Sequence, residues 1–208
     1  MKLIGKNAEI LASYYKSAIE KKGYAFFDRD KAYNLNIIGV RKNDKFTNKF
    51  DDKLVLIYRD DAKLWNFHEF SVTTDPGEDA LIDPMNPKGA AILVPGQYRS
   101  AYKMDLHRGK YLALCQCKPV SVYRDNDKDK KYDLKEGTID VGLFGINIHK
   151  SSEKREFTKY VDSWSHGCQV FASSKEYYEF LDVCEIAKDI FGNSFTYTLI
   201  EKRDLDDL

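Results

Sequence analysis

The sequence predicts a single, mostly β domain of the α+β class, and three observations predict it. Short runs rich in Val, Ile, Thr, Tyr and Phe, bounded by Asn, Asp, Gly and Pro turns, recur along most of the 208 residues. Helical periodicity appears in only two long stretches, one near each end. A chain of this length that is 43% hydrophobic has material for one sizeable core, so one domain is expected rather than two.

The elements follow in order. Ala8 to Lys22 has apolar residues at Ile10, Leu11, Tyr14, Tyr15, Ala18 and Ile19, an amphipathic helix that Gly23 ends. Asn34 to Val40, Lys53 to Tyr58 and Leu64 to Thr74 read as strands, the last two joined by a turn at Arg59-Asp60-Asp61-Ala62. His68, alone on the third run, reads as structural. Asp75 to Gly89 holds three of the five prolines and predicts a long ordered loop. Ala90 to Val94 resumes as a strand, Pro95-Gly96 turns, and Gln97 to Met104 continues as the rim of a pocket. Lys110 to Cys117 and Val120 to Tyr123 follow as strands, with Cys115 and Cys117 expected as small core residues sharing one face.

Thr138 to His149 alternates Ile139, Val141, Leu143, Ile146 and Ile148 with interposed glycines, a bent strand that delivers His149 to its end. Lys150 to Ser163 is polar and charged, a surface loop. Ser173, with Glu176 three residues on, predicts a capping box, and Tyr177, Phe180, Leu181, Cys184, Ala187 and Phe191 trace one stripe that Gly192-Asn193 ends. Phe195 to Ile200 closes as a strand, and the acidic tail from Asp204 to Leu208 is expected to fray.

Charge and cysteine usage exclude several classes. Lys plus Arg and Asp plus Glu are 33 each, so no net field favours nucleic acid or an anionic membrane. The N-terminus lacks a signal-peptide apolar core, and no run reaches membrane-spanning length, so a soluble, cytoplasmically made protein without membrane insertion is expected. The four cysteines show neither disulfide-framework nor zinc-knuckle spacing, which makes them free thiols.

Chemistry concentrates between Gly145 and Phe171, GINIHKSSEKREFTKYVDSWSHGCQVF. A histidine at one end of a loop and a cysteine at the other form a candidate base and nucleophile, since a thiolate is the reactive form and a partner imidazole favours it. On this reading Cys168 is exposed with a lowered pKa, and Cys184 is buried and inert. His149, fifteen intervening residues, then Ser165-His166-Gly167-Cys168 resembles the signature of the L,D-transpeptidase catalytic-domain family, cysteine peptidoglycan transpeptidases. The resemblance extends more loosely over Trp65 to Glu201. It implies a β-sandwich or barrel with residues 1–64 as an N-terminal helix and lead-in strands, 65–201 as the catalytic region and 202–208 as a tail.

The resemblance also implies roles. Cys168 is the nucleophile that forms a thioester with a peptidoglycan stem peptide, His149 is the base, and Lys150 orients it through a backbone carbonyl. Ser165 and His166 shape the pocket, and Tyr98, Arg99 and His107 are candidate substrate contacts. Backbone N–H groups around Gly167 and Cys168 form the oxyanion site, and Gly167 lets substrate approach. The family usually has an apolar residue and then Arg or Asn after the cysteine, whereas this chain has Gln169-Val170-Phe171, an ending similar to phage-encoded relatives. Transfer and hydrolysis share the thioester, and the wall is reached only after lysis or by a non-standard export route. A zinc site of His149, His166 and Cys168 with Asp162 competes with this reading. A non-catalytic peptidoglycan-binding or virion component of the same fold is the other alternative.

Asp125 to Glu136, DNDKDKKYDLKE, is a separate candidate. Asp125, Asp127, Asp129, Asp133 and Glu136 fall at positions 1, 3, 5, 9 and 12 of a calcium loop, for a structural Ca2+. Lys130 stands where that loop needs glycine and four lysines are interspersed, so a solvated charged hairpin is the competing reading.

Overall fold

Alternation of period two in the central strands sorts their side chains into two cores. The computed structural model describes residues 1–29, 31–42, 45, 46 and 48–206. Its strands are β1 (Lys2–Ile4), β2 (Asn36–Arg41), β3 (Asp52–Arg59), β4 (Trp65–Thr73), β5 (Ala90–Leu93), β6 (Gly96–His107), β7 (Tyr111–Gln116), β8 (Val120–Asp125), β9 (Asp140–Gly142), β10 (Ile148–Lys150), β11 (Gln169–Phe171) and β12 (Phe195–Glu201). Its helices are α1 (Lys6–Lys21), α2 (Glu78–Ile82), α3 (Ser174–Phe191) and α4 (Arg203–Asp206).

The main sheet runs β1-β4-β11-β10-β7-β6-β12-β2-β3, and β3 pairs with β4 along its whole length, so eight strands close into a barrel with β1 as an extra rung on β4. Closure leaves no long edge exposed. β5, β8 and β9 form a separate small sheet. On β3, Leu54, Leu56 and Tyr58 point to the barrel interior, where all eight strands meet Tyr177, Phe180, Leu181 and Cys184 of α3. Val55 and Ile57 point outward, under Ala8, Ala12, Tyr15, Ala18 and Ile19 of α1. The chain is therefore a single-domain, mostly β member of the α+β class, with its expected N-terminal helix and its helix after Cys168.

Several expectations are corrected. The buried stripe of α1 is rotated toward its alanines, which allow close packing, and Ile10 is left 60% exposed. The proline-rich loop contains a turn of helix, α2. Thr138 to His149 is not one bent strand: β9 lies in the small sheet and β10 in the barrel, with Gly145 at positive φ between them. Cys115 and Cys117 are not core residues. Cys115 faces Lys103 across the β6–β7 ladder, where the Lys103–Asp105 ion pair marks a solvent face, and Cys117 lies exposed past the end of β7. The tail does not fray as far as it is described, because α4 is docked by Lys22–Asp204 at 2.8 Å and by Tyr14 donating to the Leu205 carbonyl; residues 207 and 208 lie outside the described residues. At α3, Ser173 Oγ accepts the Glu176 N–H, which is half of the expected capping box.

Among the described residues, no helix is long and apolar enough to cross a membrane.

Candidate active site

Parallel pairing of β10 with β11 places the site. Ile148 lies opposite Gln169 and His149 opposite Val170. The next pair back is Asn147 with Cys168, joined by Gln169 N–H donating to the Asn147 carbonyl at 2.9 Å. Side chains alternate, so Asn147, His149, Cys168 and Val170 share the outer barrel face while Ile148 and Gln169 point in. His149 and Cys168 are thus diagonal neighbours, roughly 8 Å apart at Cα from the strand rise and spacing. Phe50, Val161, Val170 and Ala172 pack beside Cys168 as a small apolar cluster.

Hydrogen bonds fix the His149 tautomer. Nδ1 is 2.7 Å from the Lys150 carbonyl, which only accepts, so Nδ1 carries the proton and Nε2 keeps a free lone pair. The Tyr111 hydroxyl donates to the same carbonyl at 3.4 Å. His107 stacks on His149 with ring centroids 4.3 Å apart. The His107 tautomer follows from Asn147: its Oδ1 accepts the Gln116 N–H, so its Nδ2 is the donor to His107 Nδ1 at 3.0 Å. Asn147 also gives its backbone N–H to Cys168 Sγ at 3.4 Å, and the thiol donates to the Gly145 carbonyl.

The resting pair is neutral. Burial, reinforced by His107, pushes the His149 imidazole down to about 3. Burial pushes the Cys168 thiol up to about 11, with the Asn147 N–H opposing it. No hydrogen bond joins the imidazole and the thiol, and Cys168 is half-buried. The expected exposed, low-pKa thiolate is therefore absent from the resting state, because desolvation at both groups outweighs any gain from an ion pair. Cys184 is buried in the core, as expected, and its thiol is pushed far up.

His149 opens on a cavity of about 510 Å³ lined by His107, Arg108, Tyr111, Ser152 and Trp164. His166 lines a different cavity of about 320 Å³ with Arg124, Met85 and Phe144. Its Nδ1 is shielded from water without a partner. The two histidines thus flank Cys168 in separate cavities and, with it, form no ligand set for zinc among the described residues. The Asp162 carboxylate accepts from Asn48 instead.

The remaining motif residues hold the loop. Ser165 Oγ accepts the Gly167 N–H at 3.1 Å and donates to the Cys168 carbonyl at 2.8 Å. The Gly167 N–H is therefore already used, whereas the Cys168 N–H makes no hydrogen bond among the described residues and stays available as a donor. Gly167 has φ +119, and a Cβ there would stand 2.3 Å from the Ala91 carbonyl oxygen, so it serves contact with β5 rather than substrate approach. Gln169 lies inside the barrel, accepting from Tyr197 and donating to the Gly167 carbonyl. The Lys150 side chain is buried against Glu153 and the Tyr111 and Tyr178 rings.

Of the three rim candidates, His107 reaches the site. The Tyr98 hydroxyl is taken by the Val94 carbonyl, and Arg99 covers the Phe27 ring. Sequence reading missed Asn147, Tyr111 and Arg108. Asn147 was findable, since it lies two residues before His149 on the same strand face. In the acidic loop, Asp125, Asp127 and Asp133 converge. Asp129 turns to Lys131, and Glu136 begins a 3-10 turn, so neither joins them.

Fold and site define a mostly β protein with an eight-stranded barrel and a cysteine–histidine face on two parallel strands. No family model, no curated protein and no solved structure matches the chain.

Proposed function

We propose that the protein is a cysteine acyltransferase or peptidase acting on peptidoglycan stem peptides, with Cys168 as nucleophile and His149 as base. The observation that carries the reading is that His149, its Nδ1 proton held by the Lys150 carbonyl, offers Nε2 on the same strand face as Cys168 at the wall of the larger cavity. Substrate entry draws the two groups together, as catalytic hydrogen bonds commonly tighten only in the complex. The thiol proton moves to His149 Nε2 as Sγ attacks the amide carbonyl, and the free Cys168 N–H receives the oxyanion. The imidazolium then gives that proton to the leaving amine, which departs as the thioester forms. An amine or a water attacks the thioester and gives a proton to His149, which passes it to the departing Cys168 thiolate as the acyl group leaves. Because both groups rest neutral, proton transfer accompanies attack rather than preceding it.

One observation favours a second reading. A thiol pushed up to about 11 and without a hydrogen bond to imidazole also suits a non-catalytic protein that holds stem peptides in the same cavity.

Incubating wild type and Cys168→Ala with muropeptides bearing tetrapeptide stems, and weighing the products, separates the two. Crosslinked or trimmed stems from wild type alone support catalysis, and their masses distinguish transfer from hydrolysis. Binding with unchanged muropeptides supports the second reading.

A further inference from the structure

The loop between β8 and β9 takes no part in the chemistry at Cys168, and it carries a site of its own. Asp125, Asp127 and Asp133 each place a carboxylate oxygen within 4.8 Å of the others. Calcium–oxygen bonds run about 2.3–2.6 Å, so oxygens on one ion stand up to about 5 Å apart, and this spacing suits a shared ion. An independent observation points the same way. Asp125 ends β8 at 1% exposure, its Oδ2 accepts the Asp133 N–H at 3.0 Å, and its Oδ1, shielded from water, has no hydrogen-bond partner. A buried carboxylate oxygen without a donor is unfavourable, and two neighbouring carboxylates make it more so.

We propose that Asp125, Asp127 and Asp133 bind a calcium ion that braces the segment supporting the Cys168 loop. The donors are all hard oxygens, and a loop that supplies them without rigid octahedral geometry suits calcium better than magnesium. Loop carbonyls and water complete the shell. Lys135 pairs with Asp133 at 2.7 Å but is 69% exposed, so the ion displaces it to solvent at little cost.

The bracing runs through named contacts. Tyr132, inside the loop, donates to the Pro76 carbonyl at 3.2 Å and meets the Phe46 ring edge-on. Lys130 pairs with Glu78 at the start of α2. Between these anchors, Gly77 N–H donates to the Ser165 carbonyl at 2.9 Å, in the loop that positions Cys168. A fixed acidic loop therefore fixes the Pro76–Glu78 segment and, through it, Ser165.

The test is calorimetric titration of chelator-stripped full-length protein with CaCl2 and separately with MgCl2, with melting curves, beside Asp127→Asn and Asp133→Asn. Both variants change residues outside the buried core, so folding is retained. One saturable calcium site is expected, with Kd between about 10 μM and 1 mM. At ten times Kd, calcium should raise the melting temperature by about 3–6 °C. Each variant should weaken binding at least about tenfold, the loss of one charged ligand. Absence of saturable binding and of a melting shift overturns the proposal. So does calcium binding of wild-type strength in Asp127→Asn, or magnesium that stabilises as well as calcium. Neither readout uses Cys168, so failure here is distinct from failure of the proposed reaction.

Discussion

Replacing Gly167 by alanine tests how the loop before Cys168 is held. The new Cβ would stand 2.3 Å from the Ala91 carbonyl oxygen and 3.0 Å from Ile146 Cδ1, on a backbone with φ +119. A non-glycine residue in that region of φ costs about 1–3 kcal/mol. Pushing a backbone carbonyl of β5 aside costs about 1–3 kcal/mol more, the range for overpacking. Each kcal/mol moves the melting temperature of a chain this long by about 2–4 °C, so the two costs together predict a fall of roughly 4–24 °C. Gly109→Ala supplies the control, because Gly109 has φ +69 with nothing within 4 Å of its Cβ position, which leaves the backbone cost alone. Its fall should be about 2–12 °C, smaller than that of Gly167→Ala by the overpacking share. Thermal unfolding followed by circular dichroism reads both. Equal losses in the two variants, or a Gly167→Ala protein that melts with wild type, would refute the claim that β5 sets the loop.

Other predictions concern protons and packing. His149 is held neutral by burial, with its pKa pushed down to about 3, so the unfolded chain binds the extra proton as pH falls below about 6.5. Stability is lost in that window, and the share due to His149 reaches up to about 2.7 kcal/mol by pH 4.5. His149→Gln should lose less stability than wild type between pH 7 and pH 4.5 in urea titrations; parallel curves would count against a buried neutral imidazole. Cys168 in the free protein should alkylate about 100-fold more slowly than free cysteine at pH 7, its rate still rising beyond pH 10. Peptide mapping after iodoacetamide checks this, and a Cys168 faster than free cysteine would contradict the neutral resting pair. Ser165→Ala removes both hydrogen bonds of a fully buried hydroxyl and should cost about 1–3 kcal/mol in the same titrations.

The parts legible in the sequence are those where local pattern and tertiary environment agree. The Ser173 cap and the α3 stripe from Tyr177 to Ala187 survive into the structure, because that helix buries the face its period marks, whereas Ile139, Val141 and Leu143 of the expected bent strand are left exposed in and beside the small sheet. The α1 stripe slipped because periodicity weighs Ile10 above Ala8 and Ala12, whereas close approach to β4 selects the small residues. Cys115 and Cys117 misled because burial preference is an average and the outer face of that hairpin looks to solvent. The site was legible as residue types and order. What pairing alone decides was not: that His166 opens on another cavity, that Gln169 turns inward to Tyr197, and that Asn147, findable as a face neighbour of His149, stands opposite Cys168. The direction of the Cys168 pKa was opposite to the motif-level expectation because desolvation depends on packing that no spacing encodes.

The most direct measurement of the central claim is the intact mass of the protein after brief mixing with a tetrapeptide stem, wild type beside Cys168→Ala and His149→Gln. Cysteine catalysis predicts a wild-type adduct equal to the acyl fragment, released by hydroxylamine as a thioester, absent in Cys168→Ala and slower to form in His149→Gln. Unmodified wild-type protein under conditions where the peptide binds, or an adduct that persists in Cys168→Ala, would contradict it.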